Sequence, residues 1–293
     1  MKTMKHTNRL AVLLAIILSI GCIRPPAPTS AAPAAPNPCV GIASDSNGYG
    51  HVTFQLGPDG DVGIVYVQPF WVILQDQLQA VGLGNLKVLD RSLSASGLTA
   101  SEATNYLKSI PYGNLIRDRC RFDIVGPFLP DIAAGQAKPE NYAYSLRLLI
   151  NGLVDRNPGG TIFVLKFYQT NRAEFTATNS GFGLTPERIN AFNDKLTAMC
   201  SPDGSLGNLP QVICVDTQPV FEGMKTPYIL SLTTQDDYRA LFYRTTGFTP
   251  RIEAFFRENP DGQLIGDGIH LSLAGRVRLM QYLAEWISRL SDL

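Results

Sequence analysis

Histidine is scarce in this chain: three residues among 293, of which only His51 and His270 lie beyond the N-terminal stretch. There is no excess of charge, with 25 Lys and Arg against 25 Asp and Glu, and no basic patch. Nucleic acid is therefore not an expected partner. No Cys-x-x-Cys pair or Cys/His cluster argues for zinc. Phosphate-loop and dinucleotide glycine patterns are also missing, which argues against nucleotide chemistry. Neither a metal nor a cofactor is expected. There is no internal repeat. The apolar run Leu10–Ile20 is too short to span a bilayer comfortably.

That run has the form of an export signal. Lys2, Lys5 and Arg9 precede it and the small residue Gly21 ends it, so residues 1–21 read as a signal peptide. Removing them leaves 22 basic against 25 acidic side chains, a net charge of about −3. Gly21-Cys22 resembles the lipobox of bacterial lipoproteins, although Ser19 stands where those proteins usually carry leucine. The resemblance implies lipidation of Cys22 and membrane contact only through that anchor. Plain secretion, with cleavage near Ala32, is the alternative. Either way the expected location is extracytoplasmic. Residues 22–38, including "RPPAPTSAAPAAPN", are a Pro/Ala tether that cannot build a core. Residues 39–293 read as one domain.

Five apolar runs predict buried strands: Cys39–Ala43, Leu86–Leu89, Phe122–Val125, Ile162–Phe167 and Val212–Val215. Helical spacing lies between them at Trp71–Val81, Ser101–Ile110 and Tyr142–Val154. Another helix opens at Thr185-Pro186-Glu187, and the last covers about Ser272–Leu290. This alternation predicts an α/β three-layer sandwich, a five-stranded, mostly parallel sheet covered on both faces; the strand order that the cysteine positions support is the flavodoxin-like 2-1-3-4-5. Val52–Leu56 and Gly63–Val67 predict a hairpin inserted after the first strand. Residues 219–262 are a longer excursion with one or two helices.

Four cysteines follow Cys22, an even number that suits two disulfides in an exported protein. Cys39 begins the first strand and Cys120 lies just before the third; in the order 2-1-3-4-5 the two strands are neighbours, and a bond between the cysteines could staple them. Cys200 and Cys214 could close a short loop.

In open α/β sheets, ligands bind beyond the C-terminal ends of the strands. Ser46 lies there, in "GIASDSNGYG" after the first strand. A serine needs a base to become a nucleophile. His270 is the candidate base, in "DGIHLSLAGRVRLM", with Asp267 three residues earlier to orient it. His51 could line the pocket, but a structural or surface role is the preferred reading. Asp131 reads as the start of the loop or helix that follows Pro130.

Asp45-Ser46 with Gly50 four places on, Gly97 after the second strand, and Asp267-x-x-His270 before the last helix together resemble the SGNH hydrolases, also called GDSL-type esterases and lipases. Ser44 replaces the leading glycine of their first block. The resemblance spans about 39–290. It implies hydrolysis of a carboxylic ester on a small molecule, lipid or glycan, with Ser46 as nucleophile, His270 as base and Asp267 as orienter. It also implies that the backbone N–H groups of Ser46 and Gly97 form the oxyanion hole. The family's third block carries an asparagine donor after the third strand, and here that position is Phe128. A phenyl ring cannot donate. Asn171 could replace the missing donor, two backbone donors could suffice, or the domain could be a glycan- or lipid-binding module without turnover.

Overall fold

The strand that opens the domain, β1 (Asn37–Ala43), is buried from Cys39 onward because sheet neighbours and helices cover it on every side. The computed structural model describes residues 34–100, 104–132, 137–170, 184–224 and 229–291. The leader over 1–21, Cys22 and Asn171 lie outside the described residues, and the tether is described only from residue 34.

A helical turn, α1 (Ser46–Tyr49), follows β1, then β2 (His51–Gln55) and β3 (Val62–Val67). Next come α2 (Phe70–Ala80), β4 (Lys87–Asp90), α3 (Ile110–Asp118), β5 (Cys120–Val125) and α4 (Leu129–Ile132). The chain continues through α5 (Pro139–Arg156), β6 (Thr161–Leu165), α6 (Pro186–Cys200), β7 (Val212–Val215) and α7 (Gln218–Phe221). It then forms β8 (Leu232–Thr233), α8 (Gln235–Leu241), β9 (Phe242–Arg244), α9 (Thr249–Glu258), β10 (Leu264–Gly266) and α10 (Leu273–Ser291).

The main sheet is parallel, in the order β4-β1-β5-β6-β7, which is the expected 2-1-3-4-5 arrangement. Ile42 of β1 faces Asp90 of β4 on one side and Ile124 of β5 on the other. Helices cover the sheet in two groups. α10 packs against α2 with Leu279, Met280, Leu283 and Ile287 buried, and α5 packs with α3 and α6. This is the three-layer sandwich.

Two expectations differ from the structure. The helix predicted at Ser101–Ile110 starts where it was expected to end. Tyr106–Lys108 is a 3-10 turn, and α3 begins at Ile110 with Ser109 as its cap. Pro111 explains the shift, because proline lacks the N–H that a helix interior requires but fits the first turn. The hairpin β2-β3 forms in register, His51 opposite Tyr66, but it does not stand alone. It is the centre of a second, antiparallel sheet in the order β8-β10-β2-β3-β9. This sheet has its own core, in which Val52, Phe54, Val65 and Val67 meet Leu241, Ile252 and Phe256. The excursion predicted over 219–262 thus supplies β8 and β9 to a sheet that begins at His51.

Disulfides join Cys39 to Cys120 and Cys200 to Cys214. Both suit an oxidising compartment. Among the described residues no helix is long and apolar enough to cross a membrane. The bonds close loops of 81 and 14 residues. By loop-closure entropy, replacing Cys39 and Cys120 by serine should cost about 4.5 kcal/mol, and replacing Cys200 and Cys214 about 3. Urea unfolding of the two double variants tests this; a larger loss at Cys200–Cys214 would contradict the ranking.

Candidate active site

The end of β1 is built to hold a turn. Asp45 caps α1, its Oδ1 accepting from the Asn47 N–H at 2.9 Å. Gly50 ends the turn at φ 86°, with its N–H donating to the Ser46 carbonyl at 2.8 Å. A side chain at Gly50 would meet the Val67 carbonyl oxygen, so glycine is required there on two grounds. Ser46 therefore sits at the first position of a short, closed turn just beyond the sheet, half-buried.

The second sheet brings the other residues to it. β10 pairs antiparallel with β2, Ile265 opposite Gln55 and Gly266 opposite Phe54. The next residue, Asp267, then meets Thr53, whose N–H donates to Asp267 Oδ2 at 3.0 Å. Asp267 Oδ1 accepts from the N–H groups of Ile269 and His270 at 3.0 and 2.9 Å. His270 Nδ1 lies 2.5 Å from Asp267 Oδ2, and His270 Nε2 lies 2.7 Å from Ser46 Oγ. Ser46 thus forms one hydrogen-bonded series with His270 and Asp267, more than two hundred residues further along the chain. Burial pushes the Asp267 carboxyl up, but the His270 charge and the bonds from His270 and Thr53 outweigh it and hold the group at about 2. Asp267 is therefore ionised throughout the neutral range. With Nδ1–H donating to that carboxylate, Nε2 is left to accept the Ser46 proton.

The remaining expected residues are placed as follows. Gly97 is buried, and its N–H donates to the Thr104 carbonyl at 3.2 Å, so it could serve an oxyanion only by giving up that bond. A Cβ there would collide with Asp131. Asp131 holds this loop, accepting from the N–H groups of Leu98 and Thr99 at 2.6 and 2.8 Å. Phe128 is fully buried and packs on Tyr106 with ring centres 5.1 Å apart. The adjacent Leu129 N–H donates to Asp45 Oδ2 at 2.8 Å, tying this loop to the serine turn. His51 is not remote from the site. Its Nδ1 lies 2.7 Å from Ser94 Oγ, and His270 is near enough for its charge to act on it.

The residue that the sequence reading missed is Arg276, completely buried in the first turns of α10. Its Nε donates to the Leu271 carbonyl at 2.9 Å, and its Nη1 to the carbonyls of Asn47 and Gln68 at 2.8 and 3.2 Å. One side chain thereby joins the serine turn, the histidine segment and the entry to α2. Burial pulls the guanidinium down to about 10, against the charges of Tyr168, Asp267 and Asp45. A signal existed: Arg276 lies three residues after Leu273 and four before Met280, on the inward face of an apolar stripe. Arg276→Met should lower the unfolding free energy by roughly 3 kcal/mol, since it leaves buried carbonyls unpaired. Unchanged urea unfolding would show that the guanidinium does not hold these segments.

No protein-family model and no curated protein matches the chain. Solved structures do match. An M. smegmatis aryl esterase superposes with a TM-score of 0.53 at 16% identity, covering 86% of this chain and 99% of that one. Est24, a carbohydrate acetylesterase from Sinorhizobium meliloti, gives 0.52 at 12% identity over 86% and 99%. A candidate GDSL-like lipase from Parabacteroides merdae gives 0.51 at 14% over 88% and 99%. At these identities the likeness is one of fold.

Proposed function

The chain has the SGNH/GDSL hydrolase fold, and from that premise we propose that it is a serine hydrolase of carboxylic esters. The observation that carries the reading is the series Ser46 Oγ, His270 Nε2, His270 Nδ1, Asp267 Oδ2, with spacings of 2.7 and 2.5 Å. Ser46 Oγ attacks the ester carbonyl carbon as its proton passes to His270 Nε2. The carbonyl electrons move onto oxygen. They return as the carbon–oxygen bond to the alcohol breaks, and His270 gives its proton to the departing alcohol. Water then attacks the acyl-serine, losing a proton to His270, and the acid leaves as that proton returns to Ser46 Oγ. Asp267 keeps the imidazole in one tautomer and stabilises its charged form. The Ser46 N–H is the first oxyanion donor, with Gly97 or Asn171 as the second.

The acyl and alcohol groups follow no single neighbour, whose names cover aryl and carbohydrate esters. We read the protein as exported, either lipidated at Cys22 or secreted. A binding module that turns nothing over is the second reading. Phe128 favours it, because the loss of one oxyanion donor typically costs about 10²–10³ in rate.

A short-chain nitrophenyl ester assay separates the two. Ser46→Ala should abolish turnover. Asp267→Asn should lower kcat by about 10⁴ through the wrong imidazole tautomer. Equal turnover by wild type and Ser46→Ala would remove Ser46 as nucleophile, and silence in both across acetyl, aryl and glycan esters would favour the binding module.

A further inference from the structure

The second sheet presents one row of side chains beside the serine. His51 on β2 is opposite Tyr66 on β3, and Tyr66 is opposite Arg244 on β9. Residues paired across neighbouring strands point to the same face of a sheet. The contacts agree. The His51 and Tyr66 ring centres are 4.3 Å apart, and the Arg244 guanidinium lies 3.6 Å over the Tyr66 ring. Tyr49 closes the row on the catalytic side, 5.0 Å from His51 and 6.1 Å from Tyr66 between ring centres. Tyr49 is also the last residue of the turn that Ser46 begins. In the middle of β2, two residues after His51, the Thr53 N–H holds Asp267. The row is therefore attached to the proposed catalytic residues through the backbone at two points.

Its chemistry has one sign. Arg244 is exposed, and no carboxylate among the described residues lies within salt-bridge distance of it. Tyr49, His51 and Tyr66 are each partly exposed and carry polar atoms. Burial, then the charges of Arg244 and His270, holds the His51 imidazole below its ordinary value, so it is neutral at neutral pH. The guanidinium lies over the Tyr66 ring and is hydrogen-bonded to the Tyr49 and Tyr66 side chains; with five N–H donors it keeps others for an oxyanion.

We propose that His51, Tyr66, Arg244 and Tyr49 form a subsite for a carboxylate or similar oxyanion carried by the ester substrate. The proposal rests on the hydrolase reading and adds the substrate class, an anionic ester. The anion can lie on the acyl side or the alcohol side of the scissile bond, and matched probes distinguish these. Mono-4-nitrophenyl succinate carries it on the acyl group and 4-acetoxybenzoate on the alcohol, with 4-nitrophenyl acetate and phenyl acetate as neutral partners.

The quantity to measure is the ratio of kcat/KM for each anionic ester to its neutral partner. We expect a ratio above one for one of the two pairs. We expect it to fall about tenfold in Arg244→Gln, mainly through KM, and to be partly kept in Arg244→Lys. Neutral-ester turnover reports that the variants are folded. Equal ratios in wild type and Arg244→Gln for both pairs would overturn the subsite. Calorimetry of the two anionic esters with Ser46→Ala, with and without Arg244→Gln, keeps the two readings apart. If no ester is turned over, the hydrolase reading falls, while the subsite stands if Arg244→Gln weakens binding and falls if binding is equal or absent.

Discussion

The short pairing of β10 with β2 is the constraint on which the site depends. β2 leaves the serine turn directly, only one residue after α1 ends. Any strand paired antiparallel with β2 must therefore run back toward that turn. β10 does so, and Asp267 and His270 follow it by one and four residues. The pairing is two residues long, too little to be stable alone. It is secured by the Thr53 bond to Asp267 and by the sheet's own apolar core. Arg276 then fixes the segment from beneath, bonding carbonyls on both sides of the serine–histidine contact. The inserted sheet is thus part of how Asp267 and His270 reach Ser46.

The third loop shows how a catalytic block can keep its structural task when its chemical residue differs. Asp45 binds the Leu129 N–H, so the loop after β5 is still tied to the serine turn. Phe128, one residue earlier, turns into the core against Tyr106. The loop therefore supplies packing where its relatives in pattern supply an amide donor. Under the proposed hydrolase reading an oxyanion would need other donors, and the Gly97 N–H is already donating within the protein.

The parallel sheet was legible because its strands are continuous apolar runs buried on both faces, and the helices because their stripes extend over several turns. The second sheet was not. β8, β9 and β10 have two, three and three residues, shorter than one period of alternation can reveal. His51 misled for a related reason: its neighbours Tyr66 and Arg244 come from strands 15 and 193 residues away. Arg276 could have been found, because a charged residue on the buried face of a helix must bond something there. Its partners are backbone carbonyls, which no pattern of side chains announces.

By itself the sequence determined the layer architecture, the strand order, the pairs of cysteines that meet, and the three side chains proposed for chemistry. The layers follow from apolar periodicity, the cysteine pairs from their places in the expected strand order, and the three side chains from the rarity of histidine together with the resemblance of their motifs to a known family. Only the tertiary structure decided that Ser46, His270 and Asp267 touch, that Gly97 is committed to Thr104, and that Arg244 stands in a row with His51. Those facts depend on register between distant strands and on how buried polar groups find partners. Register and pairing minimise the free energy of the whole chain, so no segment of the sequence carries them alone.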